Sequence, residues 1–148
     1  MPRFVATIPS QWSVNQTFSF MSDFTNARFW DPSVVSARRV DEGDLAVNSL
    51  FDLTVRFAGR DRVLRYRVTS IEDPRSVTFE ASTGTLVSVD TLTFESRSQG
   101  CELTYSADLR FEGAAAMANP LLALFFRRLF DRARASLIAT LGSPRENS

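Results

Sequence analysis

Few side chains in this sequence could do proton chemistry inside a fold, and the best placed is Asp90. It belongs to the segment 85–95, where the parity that carries Leu86, Leu92 and Phe94 also carries Ser88 and Asp90. If that face is the buried one, a carboxylate stands among apolar neighbours. An isolated buried carboxylate is costly unless paired or protonated, so it would have a partner or a raised pKa, and either suits acid/base work. Val87 and Val89 lie on the other parity, so a bulge could instead turn Asp90 outward, or Asp90 could pair with a structural arginine. Tyr66 and Tyr105 share the apolar parity of their own segments. Their hydroxyls could orient a ligand carbonyl or hydroxyl in a cavity, or they could be core tyrosines whose hydroxyls reach solvent or backbone.

Composition closes other routes. The 148 residues contain no histidine, and all 17 basic residues are arginine. That excludes Ser-His-Asp and Cys-His arrangements, imidazole metal sites, a Schiff-base lysine and a P-loop lysine. No loop shows the clustered Asp/Glu spacing a hard cation needs, so we expect neither a metal nor a cofactor. Cys101 follows Gly100 at a strand start with no histidine to activate it, and it is given no role. As the single cysteine it cannot form an internal disulfide, which suits a reducing compartment.

The 17 acidic residues balance the basic ones, so no net field draws the chain to nucleic acid or to an anionic membrane. Arg56, Arg65, Arg67 and Arg110 share the polar parity with Asp52, Glu80 and Asp108, without aromatics for base stacking, which fits cross-strand pairing on a solvated face. No uninterrupted apolar run reaches the ~20 residues that span a bilayer, and the opening MPRFVATIP is too short for a secretion signal. We expect a soluble, cytoplasmic protein without stable membrane insertion.

The elements that must position Asp90 and the tyrosines follow from periodicity. Residues 3–8 alternate as a first strand, stopped at Pro9-Ser10. Ser10 or Ser13 can cap a helix with Val14, Phe18 and Met21 on one face, and a second short helix or turn through Asp23, Phe24, Phe29 and Trp30 ends at Asp31-Pro32. Trp30 could be a pocket wall or close the core end. Strands then follow at about 34–40, 51–57, 62–68, 77–81, 85–95 and 103–111, joined by turns short enough to force antiparallel neighbours. Arg60 and Asp61 form a hairpin tip that could overhang a cavity mouth or be merely solvated.

The long segment 119–141 is the major helix, with Asn119 as cap and Pro120 in the first turn, after a separate turn or kinked lead-in at 113–118. Leu122, Phe125, Phe126, Leu129, Phe130, Ala133, Leu137 and Leu141 form its apolar arc. Its larger rings crowd the N-terminal half, which suits a cavity along the helix, although small residues also serve close packing. Leu121, Leu124 and Ile138 fall outside the arc, either partly buried under loops or the lead-in turn, or forming a pocket rim or a contact face. Residues 142–148 read as a frayed tail of a single domain, 1–148.

Three stretches go further: FVATIPSQWSVNQTFSFMSDFTNARFWDPSV, VDTLTFESRSQGCELTYSADL and EGAAAMANPLLALFFRRLFDRA. With the order strand, two short helices, six antiparallel strands and long C-terminal helix, the chain resembles the START/Bet v 1-like (SRPBCC) superfamily. Within it, the chain is similar to the bacterial polyketide cyclase/dehydrase and lipid-transport-like proteins. The resemblance implies an α+β helix-grip fold, a curved antiparallel sheet of about seven strands wrapped around the C-terminal helix. It also implies a deep, mostly apolar cavity between sheet and helix for a lipid, polyketide or aromatic ligand. The absence of histidine departs from some catalytic relatives.

The inward parity supplies the expected ligand-binding set: Phe51, Leu53, Val55, Phe57, Leu64, Tyr66, Phe79, Asp90, Leu92, Tyr105, Phe125 and Leu129. The leading expectation is binding of a small hydrophobic or amphipathic ligand. A cyclase/dehydratase-type enzyme using Asp90 with Tyr66 or Tyr105 is the alternative. A third is an assembly or lipid-handling factor with Leu121, Leu124 and Ile138 as its contact surface. The ligand's identity and the oligomeric state are not set by the sequence, and a homodimer is left open.

Overall fold

A computed structural model describes residues 3–57, 59–84, 86–111 and 120–144, with the side chains at 57, 111 and 120–122 outside the description. Strand β1 is Arg3–Ser10, followed by helix α1 (Val14–Ser22), a 3-10 turn (Phe24–Asn26) and the short helix α2 (Ala27–Trp30). Six strands follow: β2 (Val34–Arg39), β3 (Leu50–Phe57), β4 (Arg60–Glu72), β5 (Ser76–Ser82), β6 (Leu86–Ser96) and β7 (Cys101–Phe111). Helix α3, Pro120–Leu141, completes the order. The strands form one antiparallel sheet in the order β1-β7-β6-β5-β4-β3-β2, a meander from β2 to β7 that β1 closes at the far edge. Register shifts at Val34/Ser36 and Val68/Ser70 are the bulges that help it curl.

One local expectation is corrected, and of the two candidate caps for α1 one is chosen. The first strand runs through Pro9 to Ser10, because β1 is an edge strand where a missing N–H is tolerated. The α1 cap is Ser13, in a capping box with Gln16. Ser10 instead accepts a hydrogen bond from the Trp12 amide (3.1 Å) and pairs with the Thr17 hydroxyl (2.8 Å). The predicted lead-in at 113–118, the cap Asn119 and the tail beyond 144 lie outside the described residues.

The concave face is covered in two parts. Phe18 of α1 meets Phe94 edge-on at 5.2 Å, while Phe24 of the 3-10 turn stacks on Phe79 at 4.1 Å and meets Phe51 and Tyr66 edge-on. This end is solid: Phe51, Val68, Val77, Phe79 and Leu92 have no exposed surface. Helix α3 packs against β1 and α2. Its last two turns bury Ala133, Leu137 and Leu141, and its C-terminus is tied down where the Gln11 amide donates to the Leu141 carbonyl (2.8 Å) and the Trp12 indole to that of Ser143 (2.7 Å). The Phe-rich half of α3, with Phe125, Phe126, Leu129 and Phe130 only half-buried, leans over the remaining space.

On the convex face Arg56, Arg65 and Arg67 have local partners. Arg65 pairs with Asp52 (2.8 Å), Arg56 with Asp61 (2.8 Å), and Arg67 donates to Asn48 (3.0 Å). Leu124 and Ile138 are 45% and 36% exposed, while the lead-in turn expected to cover them and the Leu121 side chain lie outside the described residues.

Candidate functional site

The space left between the sheet and the N-terminal half of α3 is a cavity of about 320 Å³. It exists because small side chains stand where the pattern calls for large ones. Ala6 on β1, Ala107 on β7 and Ala133 on α3 all face it. In the ladder, Ala107 sits between Phe4 of β1 and Asp90 of β6, so those two side chains border the gap an alanine leaves. Phe130 stacks on Phe4 (5.4 Å) and meets Tyr105 edge-on (5.8 Å), which places the cavity's apolar roof on its floor at that edge.

Asp90 points into this space. β6 pairs with β5 and β7 without a register shift, so no bulge rotates it outward, and its side chain is 6% exposed. The Tyr105 hydroxyl donates to Oδ2 (2.5 Å) and the Ser88 hydroxyl to Oδ1 (3.0 Å). Burial is the dominant influence and raises the carboxyl to a pKa of about 6; the Tyr105 and Ser88 hydrogen bonds oppose it, and the charges of Asp31 and Asp108 add to it. The Ser88 hydroxyl lies near the Tyr66 phenol and acts to lower its pKa. Both phenols are pushed up, first by burial and then by the Asp90 charge, so they stay protonated at neutral pH. The result is a cluster in which Tyr105 and Ser88 hydrogen-bond one buried carboxylate whose charge also acts on Tyr66.

A second carboxylate lines the same cavity. Asp31 follows α2 and accepts from the Ser33 amide (2.9 Å) and hydroxyl (2.8 Å), both at Oδ1. Burial raises its pKa; the Ser33 hydrogen bonds and, least, the Arg132 charge act the other way. Trp30 is part of the wall, edge-on to Tyr105 at 5.6 Å, with its indole N–H buried and without an acceptor among the described residues. Arg62, Thr83 and Arg134 line the cavity while exposed to solvent, so they mark its mouth.

Of the residues expected from parity, Leu53, Val55, Leu64, Tyr66, Asp90, Tyr105 and Leu129 are brought together around the cavity. Phe51, Phe79 and Leu92 are not among them. They point to the same side of the sheet, but Phe24 covers Phe51 and Phe79, and all three lie in the solid core. Phe125 packs beside Phe126 (6.0 Å) and is not among the lining residues, while the Phe57 side chain lies outside the description. At the hairpin tip, Asp61 binds Arg56 and the lining residue is Arg62.

Asp31, Ser33, Arg62 and Arg134 were not anticipated. Asp31 reads as a pre-proline turn residue, and only its adjacency to Trp30 and the Asp-Pro-Ser order hint at a held carboxylate. No cluster of His, Cys, Asp or Glu among the described residues could hold a metal, and none of their helices is long and apolar enough to cross a membrane.

A curled seven-stranded antiparallel sheet, short helices after the first strand, and a long C-terminal helix with a cavity beneath it define the helix-grip architecture of the START/Bet v 1 superfamily. Within that class, residues 1–142 match the family described as polyketide cyclase / dehydrase and lipid transport, and the chain belongs to it.

Solved structures carry the same fold at low identity. A START superfamily protein from Mycobacterium smegmatis superposes with a TM-score of 0.77 at 12% identity, over 95% of this chain and 97% of that one. The ZhuI aromatase/cyclase from Streptomyces sp. R1128 gives 0.77 at 12% over 95% and 93%. Ginseng major latex-like protein 151 from Panax ginseng gives 0.71 at 12% over 97% and 98%. No curated protein matches the sequence.

Proposed function

We propose that this protein binds a small amphipathic molecule in the cavity, its apolar frame against Phe4, Leu53, Leu64, Leu129 and Phe130 and its polar end toward Asp90. The observation that carries this reading is the distribution of polarity. The cavity of about 320 Å³ has mostly apolar walls, with its buried polar groups gathered around Asp90 and Asp31. Pockets for small molecules run from ~300 to 1,000 Å³ with a few placed polar groups, and this one falls at the small end. Membership of a family described by lipid transport as well as by cyclase and dehydrase chemistry supports it. Native mass spectrometry of the protein purified from its own host is expected to show one small molecule per chain, released on denaturation. The apo protein should bind a neutral naphthyl fluorophore saturably. A folded chain that carries no ligand and takes up no probe overturns the reading.

One observation favours a second reading, catalysis of the cyclase or dehydratase kind. Asp90 has a pKa of about 6 and is hydrogen-bonded to Tyr105 and Ser88, which suits a group that takes and returns a proton. The likeness to an aromatase/cyclase supports it. On this reading Asp90→Asn lowers turnover of a polyketide-like substrate by about 10²–10⁴-fold, with circular dichroism showing an intact fold. Turnover at the wild-type rate in that variant removes Asp90 from the chemistry.

A further inference from the structure

The direction of each hydrogen bond in the cavity wall says what kind of polar end a ligand needs. The Ser88 and Tyr105 hydroxyls both give their hydrogens to Asp90, and the Ser33 amide and hydroxyl both give theirs to Asp31. Tyr66 stands beside Ser88, whose own proton is already committed to Asp90, so the Tyr66 hydroxyl keeps a hydrogen it can turn toward a ligand. The remaining interior donor, the Trp30 indole N–H, is buried within the wall. Apart from the Tyr66 hydroxyl, what the inner wall offers a ligand is therefore acceptors. Asp31 Oδ2 has no hydrogen-bond partner among the described residues, each Asp90 oxygen keeps a lone pair, and the phenol oxygen of Tyr105 can accept. Among the described residues a ligand carbonyl would find only the Tyr66 hydrogen to accept there, and a carboxylate would also face two acidic groups.

The charges agree. The groups acting electrostatically on Asp90 are Asp31 and Asp108, both acidic, and the one cation acting on Asp31 is Arg132, the weakest influence on it. The arginines that line the cavity, Arg62 and Arg134, stand at its solvent-exposed mouth. Around the carboxylates are aromatic rings, those of Trp30, Tyr66, Tyr105 and Phe130, whose faces attract a cation.

Building on the binding function argued above, we propose that the ligand is a hydrophobic amine whose protonated nitrogen sits at the acceptor wall formed by Asp31 and Asp90. An ammonium brings up to three N–H donors and the positive charge this wall lacks, while its hydrocarbon portion fills the space beneath α3. No bond is made or broken.

Three probes on one frame test the proposal: phenylpropylamine, phenylpropanol and phenylpropionate, titrated by calorimetry at neutral pH into the whole chain. The amine is expected to bind at least about tenfold more tightly than the alcohol, and the carboxylate most weakly, since charge-assisted hydrogen bonds are roughly twice as strong as neutral ones. In Asp90→Asn and in Asp31→Asn the ratio of amine to alcohol affinity should collapse toward about one. An alcohol equal to or tighter than the amine, or a carboxylate tightest of the three, overturns the amine assignment and leaves cavity binding standing. If none of the three binds and the neutral fluorophore is also refused, the binding function itself falls, and the amine with it. If the fluorophore binds and the amine does not, only the amine is lost.

Discussion

At neutral pH the ionised form of Asp90 is held in a place that opposes it. Its carboxyl titrates at about 6 in the folded chain, against 3.8 for the ordinary group. Between about pH 4 and about pH 6 the folded state keeps a proton that the unfolded chain has released, so stability falls as pH rises through that window. Above it the full penalty applies, roughly 3 kcal/mol by the displacement of the titration. Asp90→Asn removes the charge and keeps a carbonyl oxygen for the Tyr105 hydroxyl. Denaturant unfolding is therefore expected to find the asparagine variant more stable than wild type at neutral pH, by about 1–3 kcal/mol, with the difference closing near pH 4. An asparagine variant that is less stable at neutral pH would show the carboxylate to be held favourably there, and burial would not be its dominant influence. A residue that costs its own fold stability is best explained by what it does in the cavity.

Among the secondary-structure elements, the sequence shows which way a strand residue points but not what lies above it. Period-two alternation put Leu53, Leu64, Tyr66, Asp90 and Tyr105 on the concave face, because a one-residue slip would have exposed a whole row of apolar side chains. Phe51, Phe79 and Leu92 carry the same alternation, yet they are sealed under Phe24, Phe18 and their neighbours. Nothing in strand periodicity separates a residue that lines a space from one that is covered. That separation is made by a three-residue 3-10 turn whose Phe24 lies flat on Phe79, too short to leave a pattern of its own. The alanines that open the cavity are silent for a related reason. Ala6, Ala107 and Ala133 look like ordinary small core residues until their opposite numbers are known. Asp31 was hidden by the proline after it, which explained the aspartate as a turn residue and gave no reason to look inward.

For the molecule as a whole, the cavity is a local departure from close packing, and its energetics predict opposite outcomes at neighbouring positions. A dry void of about 320 Å³ would cost on the order of 8 kcal/mol at ~24 cal/mol per Å³, comparable with the ~5–15 kcal/mol that holds a domain together. A fold keeps such space only if water or a ligand occupies it, and the polar wall and open mouth admit both. Leu92 on β6 and Ala107 on β7 both face the concave side, one in the solid core and the other on the cavity. Truncating Leu92→Ala leaves a hole that neighbours cannot fill and should cost about 2–5 kcal/mol. Enlarging Ala107→Leu puts three carbons into space bordered by Phe4 and Asp90. It should leave the apo protein as stable as wild type or stabilise it by up to about 2 kcal/mol, at ~0.8 kcal/mol per buried carbon. The same change should weaken binding of the neutral fluorophore by at least about tenfold, because the added side chain takes the ligand's place. Thermal unfolding of the two variants, with fluorophore titration of Ala107→Leu, checks the pair. If Ala107→Leu destabilised the chain as much as Leu92→Ala does, the added carbons would be overpacking a filled core, and the space beneath α3 would not be available to a ligand.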